Sequence, residues 1–404
     1  MKQWISGILF LMCGILAFAQ TTEEDFKALS PEDQELLSKT VKLVDDGLSD
    51  AVMPDFDYLV KKYPDNYLVR YERAYNLYML GRYADVIKEG KFLLKQKSAN
   101  ERTFQLIGNA YDLNGNRKMA AKTYREGIKK FPESGSLYLE LGTVSLLDGD
   151  YNKALEYYNQ GILVQPDFAS NYFRAANLYF ASENGKVWGL VYAETAILLA
   201  PSDEKRHEQM AGLIAACLKE NIKLSYGDKP TVSVNLVSAR DMKVDEKMKN
   251  VYLDFPGIYE GAIGQPLMKM FKEKVPFTGS LSQLIELRKG LVETYFAVTD
   301  NLYGNSMYLL EFQKKIIDAG HWEAYNYFLF MLNFPEEFSE WYSADSAPFD
   351  AFIEWYNKDP YRLGDGKSVD PMQIFKNYTP VGLAKSLRIQ SQLLIDAKLV
   401  KSQD

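Results

Sequence analysis

The stretch ERTFQLIGNAYDLNGNRKMAAKTYREGIKKFP, residues 101–132, and its successor ESGSLYLELGTVSLLDGDYNKALEYYNQGILVQP, residues 133–166, decide the fold. Residues of one type return 34 positions later: Gly108 and Gly142, Gly115 and Gly149, Ala120 and Ala154, Tyr124 and Tyr158, Gly127 and Gly161, Pro132 and Pro166. Phe104, Ile107 and Tyr111 are three and four residues apart, which places them on one face of a helix, and Tyr124 with Ile128 marks a second helix. Gly108 and Ala120 have little or no side chain, so the two helices can pack closely. A glycine inside a helix costs about 1 kcal/mol relative to alanine; its return at one offset predicts a packing gain that offsets the cost. The Asn114-Gly115-Asn116 and Asp148-Gly149-Asp150 triplets end the first helices, since glycine and asparagine accept left-handed backbone. Pro132 and Pro166 stop the second helices.

Outward from this pair the ruler continues. Gly81 and Gly47 extend the glycine marks, Pro64 lies two periods before Pro132, and Pro201 comes one residue late at 35. Residues 71–98 keep Ala74, Leu77 and Gly81-Arg82-Tyr83, with Ser98 where proline is expected; residues 173–201 keep Ala176, Tyr179, Ala193 and Ala196. The earliest period opens on Ser30-Pro31-Glu32-Asp33, a helix cap followed by a first-turn proline and an acid. Residues 202–219, with Met210, Leu213, Ile214 and Cys217 on one stripe, read as a closing helix that hides the last apolar face. A fixed period of this length predicts an all-α solenoid of helical hairpins, a surface for holding another molecule.

The pattern resembles the tetratricopeptide repeat. The resemblance implies a right-handed α-solenoid in which the first helix of each hairpin lines the concave side. Carried onto this chain, the lining residues are Tyr71, Tyr75 and Tyr78, then Gln105, Asn109 and Asp112, then Leu139, Thr143 and Leu146, then Phe173, Arg174, Asn177 and Phe180. Members that clamp a terminal carboxylate use asparagines and cations here. Asn109 and Asn177 match, but Gln105 and Leu139 stand where cations belong, so the sequence departs from a carboxylate clamp. An extended peptide or an amphipathic helix suits such a face; the alternative is that it packs on the chain's own second half.

The first nineteen residues read as a signal peptide: Lys2, then an apolar run from Ile5 to Phe18, then Ala17-Phe18-Ala19, predicting a chain that begins at Gln20. Met12 precedes Cys13 and the apolar run continues past it, which argues against a lipoprotein. With Cys13 removed, Cys217 has no disulfide partner. A cysteine-poor exported chain suggests a bacterial periplasmic or secreted protein. Net charge is −7 with no basic run, which disfavours nucleic acid and anionic membrane as partners. No apolar stretch after residue 20 reaches membrane-spanning length.

The expected organisation is a signal peptide at 1–19, a repeat array with its cap at 20–220, and a mainly helical, aromatic-rich domain at 221–404. Residues 223–264 are rich in helix breakers, and Val232, Val234 and Leu236 alternate as in a short strand or extended connector. Helical spacing returns at Leu281–Tyr295, Tyr308–Ile317, Trp322–Phe334, Pro335–Tyr342 and Phe349–Tyr356, and Pro380 opens a last amphipathic helix. Fourteen aromatics fall within 321–361, against 14% for the whole chain, so this half is either a stacking platform for sugar or peptide or a core of large side chains; helical spacing favours the core. Asp345-Ser346-Ala347 resembles the short O-glycosylation motif of Bacteroidetes periplasmic proteins. Two histidines, no paired metal-ligand spacing and no nucleotide or nucleophile motif predict no catalysis, no metal and no cofactor. The sequence therefore reads as a non-catalytic cell-envelope scaffold for a protein or peptide. The second reading is a glycan-binding component of an outer-membrane uptake system that uses Trp341 and Trp355.

Overall fold

The computed structural model describes residues 23–183, 185–237, 243–244, 251–252, 255–299, 307–364, 367 and 369. The signal-peptide reading of residues 1–19 and the helix expected from Pro380 onward lie outside them. The described chain is all-α apart from two small antiparallel sheets and one isolated antiparallel bridge, Gly364 with Lys367. It divides into two compact units, the first ending at Gln165 and the second beginning at Pro166.

The first unit is a stack of helical hairpins: α1 (Pro31–Asp45) and α2 (Met53–Lys62), α3 (Tyr67–Met79) and α4 (Tyr83–Leu93), α5 (Glu101–Leu113) and α6 (Arg117–Lys130), α7 (Gly135–Leu147) and α8 (Tyr151–Val164). Side-chain caps start these helices: Asn66, Asn116 and Asp150 accept from the backbone N–H three residues on, and Asn100 with Thr103 forms a reciprocal capping box. Each first helix from α3 onward ends on a left-handed glycine. Gly81, Gly115 and Gly149 have φ of +71°, +80° and +80°. The next residue's N–H reaches back over the turn, as Asn116 does to the Tyr111 carbonyl at 2.8 Å, which satisfies carbonyls that would otherwise lack partners.

Phe104, Ile107, Ala120, Tyr124, Leu137 and Leu141 form a continuous buried core from hairpin to hairpin. The interior glycines leave room for rings. A Cβ on Gly108 would lie 2.1 Å from Tyr124 Cε1, and one on Gly142 would lie 2.3 Å from Tyr158 Cε1. Gly108 thus admits a tyrosine from the second helix of its own hairpin.

The second unit opens with a further hairpin, α9 (Ala169–Ala181) and α10 (Lys186–Leu199), then α11 (Glu204–Asn221). These helices follow the repeat ruler yet belong to the same compact unit as the residues after 221. The reason lies in α10, where every residue from Val187 to Leu198 is buried. A helix buried on all sides must be covered on all sides. The unit continues with α12 (Phe255–Lys272), α13 (Leu281–Thr299), α14 (Tyr308–Asp318), α15 (Trp322–Phe330), α16 (Pro335–Ala344) and α17 (Ala347–Lys358), of which α12, α13, α14, α15 and α17 reach α10 through Phe255, Arg288, Gln313, Tyr325 and Tyr356. Of the strand and connector readings of Val232 to Leu236, the structure takes the strand for β2 (Thr231–Val234), paired antiparallel with β1 (Ile222–Ser225), and β3 (Lys243–Val244) pairs with β4 (Val251–Tyr252).

The expectation that breakers run to residue 264 is corrected by α12, which starts at Phe255 and carries Pro266 inside it. Pro256 occupies its first turn, where no intrahelical N–H is missed. Pro266 packs against α13, where a Cβ on Gly290 would lie 2.7 Å from the proline ring.

Candidate functional site

The predicted lining residues of the first unit share one side of α3, α5 and α7, and the structure uses them unequally. Tyr71 is buried, its ring stacked on Tyr67 at 5.9 Å, so it belongs to the core. Tyr75 is exposed, and Tyr78 is half-buried edge-on to Tyr83. Burial pushes the Tyr78 hydroxyl up, with the nearby Tyr83 and Glu140 acting in the same direction.

Gln105 donates to Glu140 at 2.8 Å and so ties α5 to α7. Asn109 accepts from the Tyr124 hydroxyl. Asp112 pairs with Arg117 at 3.3 Å, and Arg117 also reaches Asp148 at 2.7 Å. Leu139, Thr143 and Leu146 are half-buried, and the Thr143 hydroxyl donates to the Leu139 carbonyl at 3.0 Å. The polar part of this face is thus tied within each hairpin by Asn109–Tyr124 and Asp112–Arg117, and between neighbouring hairpins by Gln105–Glu140 and Arg117–Asp148.

An apolar row beside them is not among the predicted residues. Met79, Leu113 and Leu147 are 53%, 53% and 54% exposed, and each stands two residues before a left-handed glycine. Their 34-residue spacing is the signal in the sequence that could have found them. Tyr75 lies one turn from Met79, Asn109 one turn from Leu113, and Thr143 one turn from Leu147, so this row flanks the predicted face. Glu72, also on α3, is held up to about 7 by burial first and then by Asp45, with Arg102 opposing.

In the second unit the four α9 residues are placed differently. Phe173 lies under the Arg206 guanidinium of α11, 5.0 Å from ring centroid to carbon. Asn177 donates to the Phe173 carbonyl at 2.7 Å and accepts from Gln209 at 3.0 Å. Phe180 fills the space over Gly189, and Arg174 is exposed.

Of the chemistry-bearing residues outside these faces, Glu194, His207 and Cys217 are buried. Glu194 accepts from Arg288, Tyr325 and Gln313 in the interior of the unit. His207 is buried with Nε2 2.9 Å from the Leu329 carbonyl, and burial lowers its pKa. His321 precedes α15 and lies 5.5 Å from the Trp355 ring. Cys217 is buried and its thiol is pushed up to about 12 by desolvation, which removes it from thiolate chemistry. Asp345 and Ser346 sit at the junction of α16 and α17, where Asp345 accepts from the Ala347 N–H at 3.0 Å. Among the described residues no cluster of three or more His, Cys, Asp or Glu could hold a metal, and no helix is long and apolar enough to cross a membrane.

A tetratricopeptide-repeat family model matches residues 135–168, the span of α7, α8 and the turn after them. No curated protein matches. Among solved structures, the chain is similar to TTC0263, a thermophilic tetratricopeptide-repeat protein of Thermus thermophilus, at 21% identity over 45% of this chain and 98% of that one, TM-score 0.39. It is also similar to MamA of Desulfovibrio magneticus RS-1, at 13% identity over 44% and 98%, TM-score 0.34. YrrB, described as a tetratricopeptide-repeat protein with an unusual peptide-binding site, matches at 15% identity over 47% and 95%, TM-score 0.32. The chain therefore carries a tetratricopeptide repeat at 135–168 within an all-α array of helical hairpins.

Proposed function

We propose that the protein is a non-catalytic scaffold that holds a protein or peptide partner on the α3–α5–α7 face of its first unit. The observation that carries this reading is the row of Met79, Leu113 and Leu147, each more than half exposed and repeated in register with the hairpins. Large apolar side chains gathered in a row on an exposed surface are a contact surface in want of a partner. The polar ties beside the row, Gln105 with Glu140 and Arg117 with Asp112 and Asp148, fix the face before anything binds. Binding then loses little ordering entropy. The reading of residues 1–19 as a cleaved leader supports a scaffold that works in the periplasm or outside the cell.

A photo-crosslinking side chain introduced at Leu113 or Tyr75 in the native host tests the assignment, with Lys122 on the exposed side of α6 as the control position. A discrete protein adduct from Leu113 and Tyr75, absent at Lys122 and lost from Tyr75 when Met79, Leu113 and Leu147 are all changed to aspartate, is the expected outcome. Equal labelling at Lys122, or an adduct that survives the triple change in a folded protein, rejects it.

A further inference from the structure

Helix α16 is a second surface, independent of the α3–α5–α7 face. None of its residues is buried, although it carries Phe338, Trp341 and Tyr342. Trp341 lies flat on Tyr327 of α15, with centroids 4.1 Å apart and planes 13° from parallel, and both residues remain partly open to solvent. Glu337 and Glu340 flank Trp341 on α16, and Glu323 stands one turn before Tyr327; all three are exposed. Burial first, and then the charges of Glu323, Glu337 and Glu340, push the Tyr327 hydroxyl up. Among the described residues none of the three forms an ion pair.

Elsewhere the molecule combines carboxylates and rings with a cation in place. Lys62 bonds Asp33 at 2.6 Å and lies 5.5 and 5.6 Å from the Tyr58 and Tyr63 rings. Arg288 pairs with Glu194 and lies 5.5, 5.7 and 5.5 Å from the Trp322, Tyr325 and Phe330 rings. Lys315 pairs with Asp359 and lies 5.6 Å from the Trp355 ring. The Tyr327–Trp341 stack has the same rings and acids, and no lysine or arginine of the described chain fills it. Ring faces attract cations electrostatically, and carboxylates add charge-assisted hydrogen bonds.

We propose that this face of α16 docks a basic peptide segment of another protein, with an arginine side chain laid against the Trp341–Tyr327 stack and bonded by Glu337 and Glu340. Arginine suits the site better than lysine, because its planar guanidinium stacks on a ring while its edge donates to carboxylates. Exposed charge on both sides makes the contact fall off with added salt.

Calorimetric titration of the full chain with a capped hexapeptide alternating arginine and glycine tests this. Free arginine amide, a glutamate–glycine hexapeptide and maltohexaose serve as comparison ligands. The expected result is saturable binding of the arginine peptide only, weakened ~10-fold in Glu337→Gln/Glu340→Gln and unchanged in Glu354→Gln on α17. Glutamine has nearly the helix propensity of glutamate, so α16 is retained in the double variant, and circular dichroism checks it. Three results overturn the proposal: no saturable binding of the arginine peptide, equal affinity in the double variant, or arginine amide binding as well as the peptide. Maltohexaose binding that is lost in Trp341→Phe but insensitive to the glutamine changes assigns the face to a glycan and also overturns it.

Discussion

Glu194 and Arg288, 94 positions apart, form a buried ion pair that is 6% and 5% exposed. Gln313 donates to the same carboxylate oxygen at 2.6 Å, the Tyr325 hydroxyl also donates to it, and Asn326 accepts from the guanidinium. The network joins α10 to α13, α14 and α15. It gives the α9–α10 hairpin one arrangement against the helices that follow it in this unit.

Removing one member of this pair leaves the other charged and buried, which costs about 3–5 kcal/mol. Glu194→Met and Arg288→Met are each expected to lower the second unit's stability by that order in urea unfolding followed by tryptophan fluorescence. The double Glu194→Met/Arg288→Met variant leaves no stranded charge and is expected to recover most of the loss. If the double variant is as unstable as the sum of the singles, the two side chains do not act as a pair.

Much of the first unit was legible because its period is set by side-chain size. Gly108, Tyr124, Ala120 and Pro132 mark where helices touch and stop, and each reappears in the next hairpin. The second unit has no such repeat, and its signals were local and misleading. Pro256, Gly261 and Gly264 read as breakers, yet α12 accepts Pro256 in its first turn and also carries Pro266, packed against Gly290. The Glu194–Arg288 pair did leave a trace. Arg288 falls on the apolar stripe of Leu281, Leu284, Leu291 and Tyr295, and Glu194 is the one carboxylate in a mostly apolar helix. Each is anomalous alone, and only the tertiary fold shows that they answer one another. Of the predicted face, position on the helix was readable but burial was not, because Tyr71 turns inward by stacking on Tyr67.

Gly108→Ala separates helix propensity from packing. Alanine is better than glycine by about 1 kcal/mol in an open helix. Here the added methyl would lie 2.1 Å from Tyr124 Cε1, so the ring must move out of a filled core. Overpacking of this kind costs about 1–3 kcal/mol, and the net effect is a lower melting temperature. Combination with Tyr124→Leu, which removes the ring, is expected to be less destabilising than the sum of the two single changes. Simple additivity in calorimetry counts against the contact.

Glu72 gives the first unit a pH dependence of definite sign. Its carboxyl titrates near 7 in the folded chain, against an ordinary 4.5. Between those two values the folded state holds a proton that the unfolded state has released, so stability falls as pH rises through the window. Glu72→Gln has no proton to lose and keeps a neutral side chain in place. Wild type and variant are therefore expected to melt together below pH 4.5, and the variant to melt a few degrees higher above about 7. A constant difference at all pH values contradicts the assignment of the slope to Glu72.

The exposed row of Met79, Leu113 and Leu147 allows a role in binding to be separated from a role in folding. A buried leucine in this array, such as Leu141 at 2% exposure, loses about 2–5 kcal/mol on truncation to alanine, because a cavity is left behind. The row residues are more than half open, so Met79→Ser, Leu113→Ser and Leu147→Ser are each expected to change stability by no more than about 0.5 kcal/mol. Loss of apolar surface should also improve solubility at high concentration. A triple variant that stays folded and melts with the wild type shows that the row contributes nothing to the hairpin stack itself. Its recurrence at the ends of α3, α5 and α7 must then be explained by what it touches outside. Large losses in the single variants, measured by thermal unfolding, would make the row part of the core and remove the argument for a partner on this face.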